Sequence, residues 1–413
     1  MLFEINNIGK VQNACIEMRG ITVLAGNNST GKSTFGKALF SIFNASYESK
    51  QGILRERKKS LKNIISHSTQ RLFFTRKPDS INKIVDSILD QKNSLQEIRQ
   101  IIQNAIEQQI IIPSSMRDDS IDTLFEKIRR SVAISAEQIQ RNILTQYLCT
   151  EFDNQITHIE YPEHQGNISL TIKNNKLDAL IQKNECINFT DDVGVIYQAF
   201  YLDSPFVMEQ SIPNYHFYPK YNHQRHLIKK LRKTGVKNSI IDSEIVKQKF
   251  KTILMPFYSI VGGEFKNTEL GLRFQENGLS EPLALANVSA GMKPFLIIKR
   301  LLENGELKEQ NVLILDEPEI HLHPEWQLVF AELLVLLQKE FDLTILLTTH
   351  SPYFLHAVEV YSAKQKTNNR CNYYLTINNG HYCSVQNVTN NTDGIYQKLA
   401  KPFQTLENLR YAE

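Results

Sequence analysis

The pattern of hydrophobic and polar positions first indicates three buried strands, each followed by polar residues. These runs are apolar and rich in β-branched residues, and they cover Ile21–Ala25, Val312–Leu315 and Leu343–Leu347. Continuous apolar runs of this length are typical of parallel strands that are covered on both faces. Open α/β sheets bind ligands at the carboxyl ends of such strands, so the residues after each run are the first candidates for a functional site.

Two local patterns surround the first of these strands. Leu2–Ile8 and Val11–Met18 flank Gly9 and predict an antiparallel β-hairpin at the start of the chain. Apolar residues at helical spacing follow the strand and predict a helix that begins near Lys32; they are Phe35, Leu39, Ile42 and Phe43.

From about residue 46 to 150 the composition changes to Ile, Gln, Lys, Arg, Asp and Ser, with almost no glycine. Apolar residues recur at helical spacing in Ile81–Ile112 and Ser120–Tyr147, with a break at Pro113–Ser115. Strict heptads are not sustained, so the pattern predicts a compact helical lobe and not a long coiled coil. The lobe could be a docking or sensing surface, or a scaffold that only packs.

A chain of 413 residues can bury a sizeable core and could hold two domains. We predict an α/β head whose parts are separated by the lobe. The predicted parts are the head at 1–45, a helical insertion at 46–154, further head strands at 155–210, a basic helical segment at 211–249 and the rest of the head at 250–413.

A glycine-rich loop follows the first strand. It reads Gly26-Asn27-Asn28-Ser29-Thr30-Gly31-Lys32-Ser33-Thr34 and matches the phosphate-binding pattern G-x-x-x-x-G-K-[ST]. The free amides and dipole of the helix that begins near Lys32 would favour phosphate. In this motif Lys32 reaches the β- and γ-phosphates and Ser33 binds Mg²⁺. A plain glycine turn between strand and helix is the alternative.

Candidate catalytic groups follow the other two strands. Asp316 and Glu317 come after the second, and His350 comes after the third. Asp316 would hold Mg²⁺ through its hydration shell, and Glu317 would orient and deprotonate an attacking water. His350 could contact the γ-phosphate and sense its departure. Solvated acids and an ordinary loop histidine are the alternatives.

These segments together resemble the ABC-type ATPases of the structural-maintenance-of-chromosomes (SMC), RecF and overcoming-lysogenization-defect kind. In that resemblance Gly26–Thr34 is the Walker A loop, Val312–Glu317 the Walker B strand, His350 the switch histidine and Glu319–Pro324 the D-loop region. It implies an ABC-type P-loop ATPase head, with a mixed or parallel sheet, flanking helices, an antiparallel β subdomain and an inserted helical lobe. It also implies ATP and Mg²⁺ as cofactors.

The same resemblance extends to a signature segment upstream of Walker B. Ser289 and Gly291 stand at its key positions, while Ala290 and Met292 depart from the fuller L-S-G-G-Q form. In the family this segment binds the γ-phosphate of ATP held by a second subunit, which implies a homodimer or higher homo-oligomer. Without the resemblance, it is a capped helix N-terminus.

The family's glutamine loop is not evident, because no glutamine stands in the expected place. Asp203 and Ser204, in a strand-to-proline turn, are the candidates for its contacts with Mg²⁺ or water. An ordinary turn at the end of a strand is the alternative.

Charge adds candidate partners. The formal net charge is only +3, so any contact with nucleic acid must be local. Residues 219–237 contain no acid, and they could bind a phosphate backbone or an acidic partner, or form a solvated helix face. Their candidate contacts are Lys229, Lys230, Arg232 and Lys233. A second basic cluster comprises Arg55, Arg57, Lys58, Lys59 and Lys62.

Several other classes find little support. The five cysteines show neither a disulfide framework nor zinc spacing. His321 and His323 alternate near two glutamates and could bind a metal, but the D-loop resemblance explains them better. No apolar run reaches membrane-spanning length, and the first strand begins at Leu2, so we expect no membrane contact and a cytoplasmic protein.

The amino-acid sequences of the Walker B and switch segments are most similar to those of the stand-alone ATPases of bacterial antiphage systems, such as the Septu ATPase and its retron-associated relatives. Those proteins work with a separate effector, often an HNH nuclease. The resemblance implies a regulatory or sensor subunit. A RecF-like, ATP-gated DNA-binding repair protein is the alternative, followed by an ATP-binding switch with little turnover. A transporter subunit is less favoured, because transporter heads have a fuller signature and a glutamine loop.

Overall fold

The computed structural model describes residues 1–68, 78–90, 94–108, 119–210, 220–233, 253, 255–269 and 271–410. The chain forms two compact units. Met1–Tyr47 and Leu144–Glu413 form the first, which we call the head unit, and Glu48–Ile143 form the second, which we call the helical unit. The finer five-part division predicted from the sequence stays a prediction.

The head unit is built on a large mixed sheet. Its strands are β1 (Leu2–Ile8), β2 (Val11–Glu17), β3 (Ile21–Ala25), β4 (Gly166–Ile172), β5 (Asn175–Gln182), β6 (Glu185–Asp191), β7 (Ala199–Leu202), β11 (Val312–Asp316), β12 (Thr344–Thr349), β13 (Cys371–Asn378) and β14 (Cys383–Asn387). Among the described residues the order is β6-β5-β4-β1-β2-β14-β13-β3-β12-β11-β7. A smaller antiparallel sheet comprises β8 (Gly263–Thr268), β9 (Gly271–Glu276) and β10 (Leu283–Ala284).

The large sheet has a parallel half and an antiparallel half. The five strands from β13 to β7 in that order run parallel, and β6, β5, β4, β1 and β2 alternate in direction. The three apolar runs lie in the parallel half, as predicted, and their side chains are buried on both faces of the sheet. The opening hairpin is also confirmed, with Leu2 opposite Glu17. The predicted fold class is therefore correct.

The parallel strands bring distant segments to one edge. In the pairing registers Ala25 lies opposite Thr349, Thr348 opposite Asp316, and Leu315 opposite Leu202. Their carboxyl ends therefore lie side by side, although they come from opposite ends of the chain.

The helices flank this sheet or build the helical unit. Within the described ranges, those of nine or more residues are α1 (Lys32–Ser68), α2 (Pro78–Leu89), α3 (Leu95–Glu107), α4 (Asp119–Ala133), α5 (Ala136–Glu151), α6 (His223–Leu231), α7 (Lys293–Glu303), α8 (Pro324–Phe341), α9 (Pro352–Lys364) and α10 (Asp393–Arg410). Helix α1 begins at Lys32 as predicted, but it continues beyond the predicted domain boundary at residue 45. No helix within the described ranges is long and apolar enough to cross a membrane.

The helical unit has its own apolar core, which includes Leu61, Val85, Ile102 and Ile128. The two long helical stretches predicted there are each divided, which corrects the prediction. Ser94 and Glu97 form a capping box that starts α3, and Ser135 accepts a hydrogen bond from the Gln138 amide at the start of α5. The predicted break at 113–115 lies outside the described residues.

Candidate functional site

The glycine-rich loop requires glycine at both ends. Gly26 has φ +153°, and a Cβ added there would lie 2.2 Å from Thr376 Oγ1. Gly31 has φ +79°, a conformation that L-residues with side chains rarely adopt. The loop thus turns tightly between β3 and α1, with β13 packed against its first residue.

The loop is also held by hydroxyl groups. Thr30 Oγ1 donates to the Asn27 carbonyl at 2.8 Å and lies 2.6 Å from Thr376 Oγ1. Asn27, Asn28, Ser29 and Ser33 are exposed, whereas Thr30 is buried. A cavity of about 370 Å³ opens over the loop, and it is lined by residues 28–34 together with Lys10 and Glu317.

Lys32 connects the loop with the other strand ends. Its Nζ donates to the carbonyls of Gly26 and Asn27, at 3.2 and 2.9 Å. The same atom lies 2.8 Å from His350 Nε2 and 3.7 Å from Glu317 Oε1. Burial lowers the pKa of Lys32, and the nearby charge of Glu317 opposes that effect.

Asp316 and Glu317 are held in different ways at the end of β11. Asp316 accepts hydrogen bonds on both carboxylate oxygens, from Thr348 Oγ1 at 2.5 Å and from the Tyr201 hydroxyl at 3.0 Å. Glu317 has φ +49°, a left-handed conformation that is uncommon for a residue with a side chain. Its amide donates to the carbonyl and the hydroxyl of Thr348, at 3.2 and 3.0 Å. These bonds hold a strained turn that projects Glu317 over the loop.

His350 completes this group. Its Nε2 lies 2.7 Å from Glu317 Oε1. Burial and the neighbouring Lys32 lower its pKa and outweigh the attraction of Glu317, which favours a neutral imidazole at pH 7. The structure therefore brings together four residues predicted from separate motifs: Lys32, Asp316, Glu317 and His350.

Glu319 anchors the loop that carries His350, a role that sequence reasoning missed. Its Oε1 accepts hydrogen bonds from Thr349 Oγ1 at 2.5 Å, the His350 amide at 2.9 Å and the Ser351 amide at 3.3 Å. Burial raises the pKa of Glu319, although these donors oppose it. The signal in the sequence is a further acid soon after Asp316 and Glu317, at a position that the D-loop resemblance also covers.

The residues present fit ATP and Mg²⁺. Because Gly26 has no Cβ, the backbone of the loop can approach the phosphates closely. Ser33 and Asp316 supply the oxygen ligands that a hard cation such as Mg²⁺ prefers. The described part of the chain contains no group of three or more His, Cys, Asp or Glu side chains that could hold a metal.

The signature residues lie elsewhere on the head unit. Ser289 is exposed and makes no capping hydrogen bond, so the plain helix-cap interpretation is wrong for its side chain. Gly291 is buried, and a Cβ there would lie 3.1 Å from Trp326 and 3.2 Å from the His321 carbonyl. Pro294 occupies the first turn of α7, where its missing N–H leaves no hydrogen bond of the helix unmade. Neither Ser289 nor Gly291 lines the cavity over the loop.

The glutamine-loop candidates are engaged within the head unit. Ser204 Oγ accepts a hydrogen bond from the Phe206 amide, and Asp203 Oδ2 lies 2.9 Å from His223 Nε2. Gln224, which the sequence did not single out, donates to both oxygens of Asp203 at 3.3 and 3.2 Å. Helix α6 thus brings a glutamine to this turn from a later part of the chain.

Most of the predicted basic contacts on and after α6 face other protein groups. Lys230 and Lys233 bind the two oxygens of Glu306 at 2.8 and 2.7 Å, and Arg232 donates to the Gln210 carbonyl. Lys229 is exposed. Nucleic-acid binding there stays a prediction, with less free charge than the sequence indicated. Residues 234–237 lie outside the described residues.

Comparison with known proteins gives the family. The family described as "AAA domain, putative AbiEii toxin, Type IV TA system" matches residues 21–356, which include the loop, both acids and His350. The chain belongs to this family. An AAA domain agrees with the ATP-binding head that the sequence resemblance implies. No curated protein matches the sequence.

Solved SMC head structures are also similar to this member of the AAA-domain family. An SMC head bound to the winged-helix domain of ScpA is 9% identical, with 94% of this chain and 96% of that chain covered and a TM-score of 0.44. The SMC head from Thermotoga maritima is 10% identical, with 94% and 98% covered and a TM-score of 0.39. An SMC head with an extended coiled coil from Pyrococcus furiosus is 9% identical, with 99% and 98% covered and a TM-score of 0.41.

Proposed function

We propose that this chain hydrolyses ATP in a Mg²⁺-dependent reaction and dimerises around ATP, and that it regulates a separate effector in a bacterial antiphage system. The observation that carries the catalytic part is the convergence at three parallel strand ends. Polar atoms of Lys32, Glu317 and His350 lie within 3.7 Å of one another beside a phosphate-binding loop, and Asp316 immediately precedes Glu317. This arrangement provides positioning and charge stabilisation, which phosphoryl transfer mainly requires.

The loop and α1 bind the phosphates. The amides at the start of α1 favour anions, and Lys32 supplies a cation at the position of the β- and γ-phosphates. Ser33 and Asp316 would hold Mg²⁺, which supplies neutralisation of the charge that develops on the phosphate oxygens. Asp316 is fixed for this purpose by Thr348 and Tyr201.

Glu317 is the proposed base. It accepts a proton from water while the water oxygen bonds to the γ-phosphorus, and the bond from that phosphorus to the β–γ bridging oxygen breaks. Its contact with Lys32, 3.7 Å between Nζ and Oε1, supports a role at the γ-phosphate end of the loop. His350 contacts both Lys32 and Glu317, so it can respond to the presence of the γ-phosphate.

The dimer part rests on the signature segment. Ser289 is exposed and lies outside the cavity of its own chain, while Gly291 is packed against Trp326 beside the D-loop. Ser289 and the Gly291 backbone would donate hydrogen bonds to the ATP that a second copy holds. The two copies would thereby complete each other's sites. The defence part rests on the similarity to Septu-type ATPases and on a family described by a toxin of type IV toxin–antitoxin systems. We expect the effector, such as an HNH nuclease, to be another chain, and the complex to act in the cytoplasm.

The test is isolation of the Glu317→Gln form from its native cells in Mg²⁺-ATP, followed by determination of its mass and of everything bound. Glu325→Gln, at an exposed position on α8, is the matched control. An ATP-dependent dimer with a stoichiometric second protein supports the full proposal and names the effector. A dimer with nucleic acid alone favours the RecF-like alternative, a dimer with neither favours an ATP switch, and a monomer unaffected by ATP contradicts the dimer mechanism.

A further inference from the structure

A buried tyrosine on the neighbouring strand contacts the proposed metal ligand. Tyr201 lies on β7, opposite Ile314 of β11, and its hydroxyl donates to Asp316 Oδ2 at 3.0 Å. The other oxygen, Asp316 Oδ1, accepts from Thr348 on β12. The carboxylate is therefore oriented from both neighbouring strands of the sheet.

The packing around Tyr201 fixes the position of that hydroxyl. The side chain is only 2% exposed. A Cβ added at Gly36 of α1 would lie 3.2 Å from the tyrosine ring, so glycine allows the helix to pack directly on it. The ring of Phe40, one turn later, is 6.3 Å away between centroids. Displacement of the phenol would require movement of α1, which also carries Lys32.

Tyr201 also packs against an ion-paired histidine. The His223 ring lies 4.5 Å from the tyrosine ring between centroids. His223 Nδ1 is 2.6 Å from Glu151 Oε2, and its Nε2 is 2.9 Å from Asp203 Oδ2. Both partners restrain the imidazole, so this side of the phenol is rigid as well.

A phenol suits this position because it is a neutral donor. A tyrosine hydroxyl keeps its proton at neutral pH, because its ordinary pKa is about 10. The buried hydroxyl of Tyr201 therefore donates to the carboxylate. A metal-binding carboxylate whose orientation is fixed in this way loses less conformational freedom when the ion arrives.

We propose that Tyr201 is a positioning residue for the metal site, which holds Asp316 in the orientation that binds Mg²⁺ with ATP. This inference rests on the proposed function, because it assigns Mg²⁺ to Asp316. Tyr201 does not line the cavity over the loop, so we assign it no contact with the nucleotide. Removal of the Tyr201 hydroxyl should raise the Mg²⁺ concentration that ATP binding requires. It should leave ATP binding in the absence of Mg²⁺ unchanged.

The experiment measures retention of radiolabelled ATP by the Glu317→Gln form while Mg²⁺ is titrated from EDTA to excess. With Tyr201→Phe added, the Mg²⁺ concentration for half-maximal retention should rise about 10-fold, as is typical when an outer partner of a metal ligand is lost. Retention in EDTA and the melting temperature should change little, because the ring is kept. Tyr374→Phe is the matched control. Tyr374 is also buried, and its hydroxyl accepts a hydrogen bond from the Glu17 amide at 2.8 Å, away from the site. Removal of this hydroxyl should leave the Mg²⁺ titration unchanged.

A double-mutant cycle with Asp316→Asn separates positioning from a general effect on the fold. Tyr201→Phe should add no further change once Asp316 is replaced. Gly36→Ala, which pushes the ring but keeps the hydroxyl, should raise the Mg²⁺ requirement in the same direction, and it serves if Tyr201→Phe does not fold.

An unchanged Mg²⁺ requirement in the Tyr201→Phe form, or an equal effect with and without Asp316, would overturn the inference. If the parent Glu317→Gln form itself retains ATP equally in EDTA and in Mg²⁺, the proposed metal-dependent function fails first, and this inference fails with it. The parent titration and the difference between variants therefore distinguish the two failures.

Discussion

Glu317 Oε1 and His350 Nε2 lie 2.7 Å apart, at the ends of two adjacent parallel strands. Lys32 Nζ is 3.7 Å from the same glutamate oxygen and 2.8 Å from the same imidazole nitrogen. The proposed base, the phosphate-binding cation and the proposed γ-phosphate sensor thus share one set of contacts. Any group that binds Lys32 or His350 changes the environment of Glu317 directly.

The first prediction concerns this contact. His350→Ala should lower kcat for ATP hydrolysis about 100-fold, because it removes the group that orients Glu317, while ATP affinity changes only a few-fold. Steady-state phosphate release and equilibrium ATP binding measure the two quantities. His356→Ala, at a position whose side chain is 68% exposed on α9, should have no effect on either. Equal loss of binding and turnover would show that His350 acts only in binding.

The second prediction concerns the start of the loop. Gly26→Ala should abolish detectable ATP binding and destabilise the fold by about 1–3 kcal/mol, because its methyl group would overlap Thr376 and the loop could not keep its conformation. Thermal melting and ATP binding test both parts. Gly394→Ala is the matched control, since a Cβ there meets nothing within 4 Å. Normal ATP binding by Gly26→Ala would contradict the structure of the loop.

The third prediction concerns the anchor of the His350 loop. Glu319→Ala removes the acceptor for Thr349, His350 and Ser351, so ATP hydrolysis should fall at least about 10-fold, with ATP binding largely retained. Glu319→Gln keeps one carbonyl oxygen at this place and should retain most of the activity. The comparison of turnover in the two variants is the measurement. Similar losses in both would indicate that charge, and not the acceptor, is what the loop needs.

The fourth prediction is a pH dependence of stability. Burial alone would lower the pKa of His223, but Asp203 and Glu151 outweigh it and raise this pKa from 6.5 to about 9. The folded state therefore binds a proton more tightly than the unfolded state. The resulting stabilisation is fully present below pH 6.5 and is lost as pH rises through about 9. It amounts to at most roughly 3 kcal/mol.

Denaturant unfolding of the wild type and of His223→Gln at a series of pH values tests this. The difference in unfolding free energy between the two should be largest below pH 6.5 and should shrink steadily from there towards pH 9. His381→Gln, with a 69% exposed side chain, is the control and should give a small difference at every pH. A difference for His223→Gln that does not vary with pH would mean that this histidine does not gain a proton on folding.

The sequence predicted those parts of the site that depend on local spacing. One loop pattern contains Gly26, Gly31 and Lys32 at its defining positions. Asp316 and His350 each follow a recognisable strand. Their meeting could be inferred because parallel strands share an edge. The start of α1 at Lys32 was predicted for the same reason, since periodicity resumes there.

The contacts that the sequence did not predict join segments with no common pattern. Tyr201 reaches Asp316 only because β7 pairs with β11, and Gln224 reaches Asp203 only because α6 packs on β7. Glu306 binds Lys230 and Lys233 from a distant segment of the chain. Fewer of these basic side chains are therefore available to a partner than the sequence indicated. Tertiary pairing sets these contacts, and periodicity carries no information about it.

The most direct test of the catalytic account is phosphate release from ATP by the purified wild type and the Glu317→Gln form, each with Mg²⁺ and with EDTA. The account predicts Mg²⁺-dependent release by the wild type and a loss of at least about 100-fold in Glu317→Gln, which should still bind ATP. Glu325→Gln should behave as the wild type. Undiminished hydrolysis by Glu317→Gln, with ATP binding intact, would contradict the assignment of Glu317 as the base.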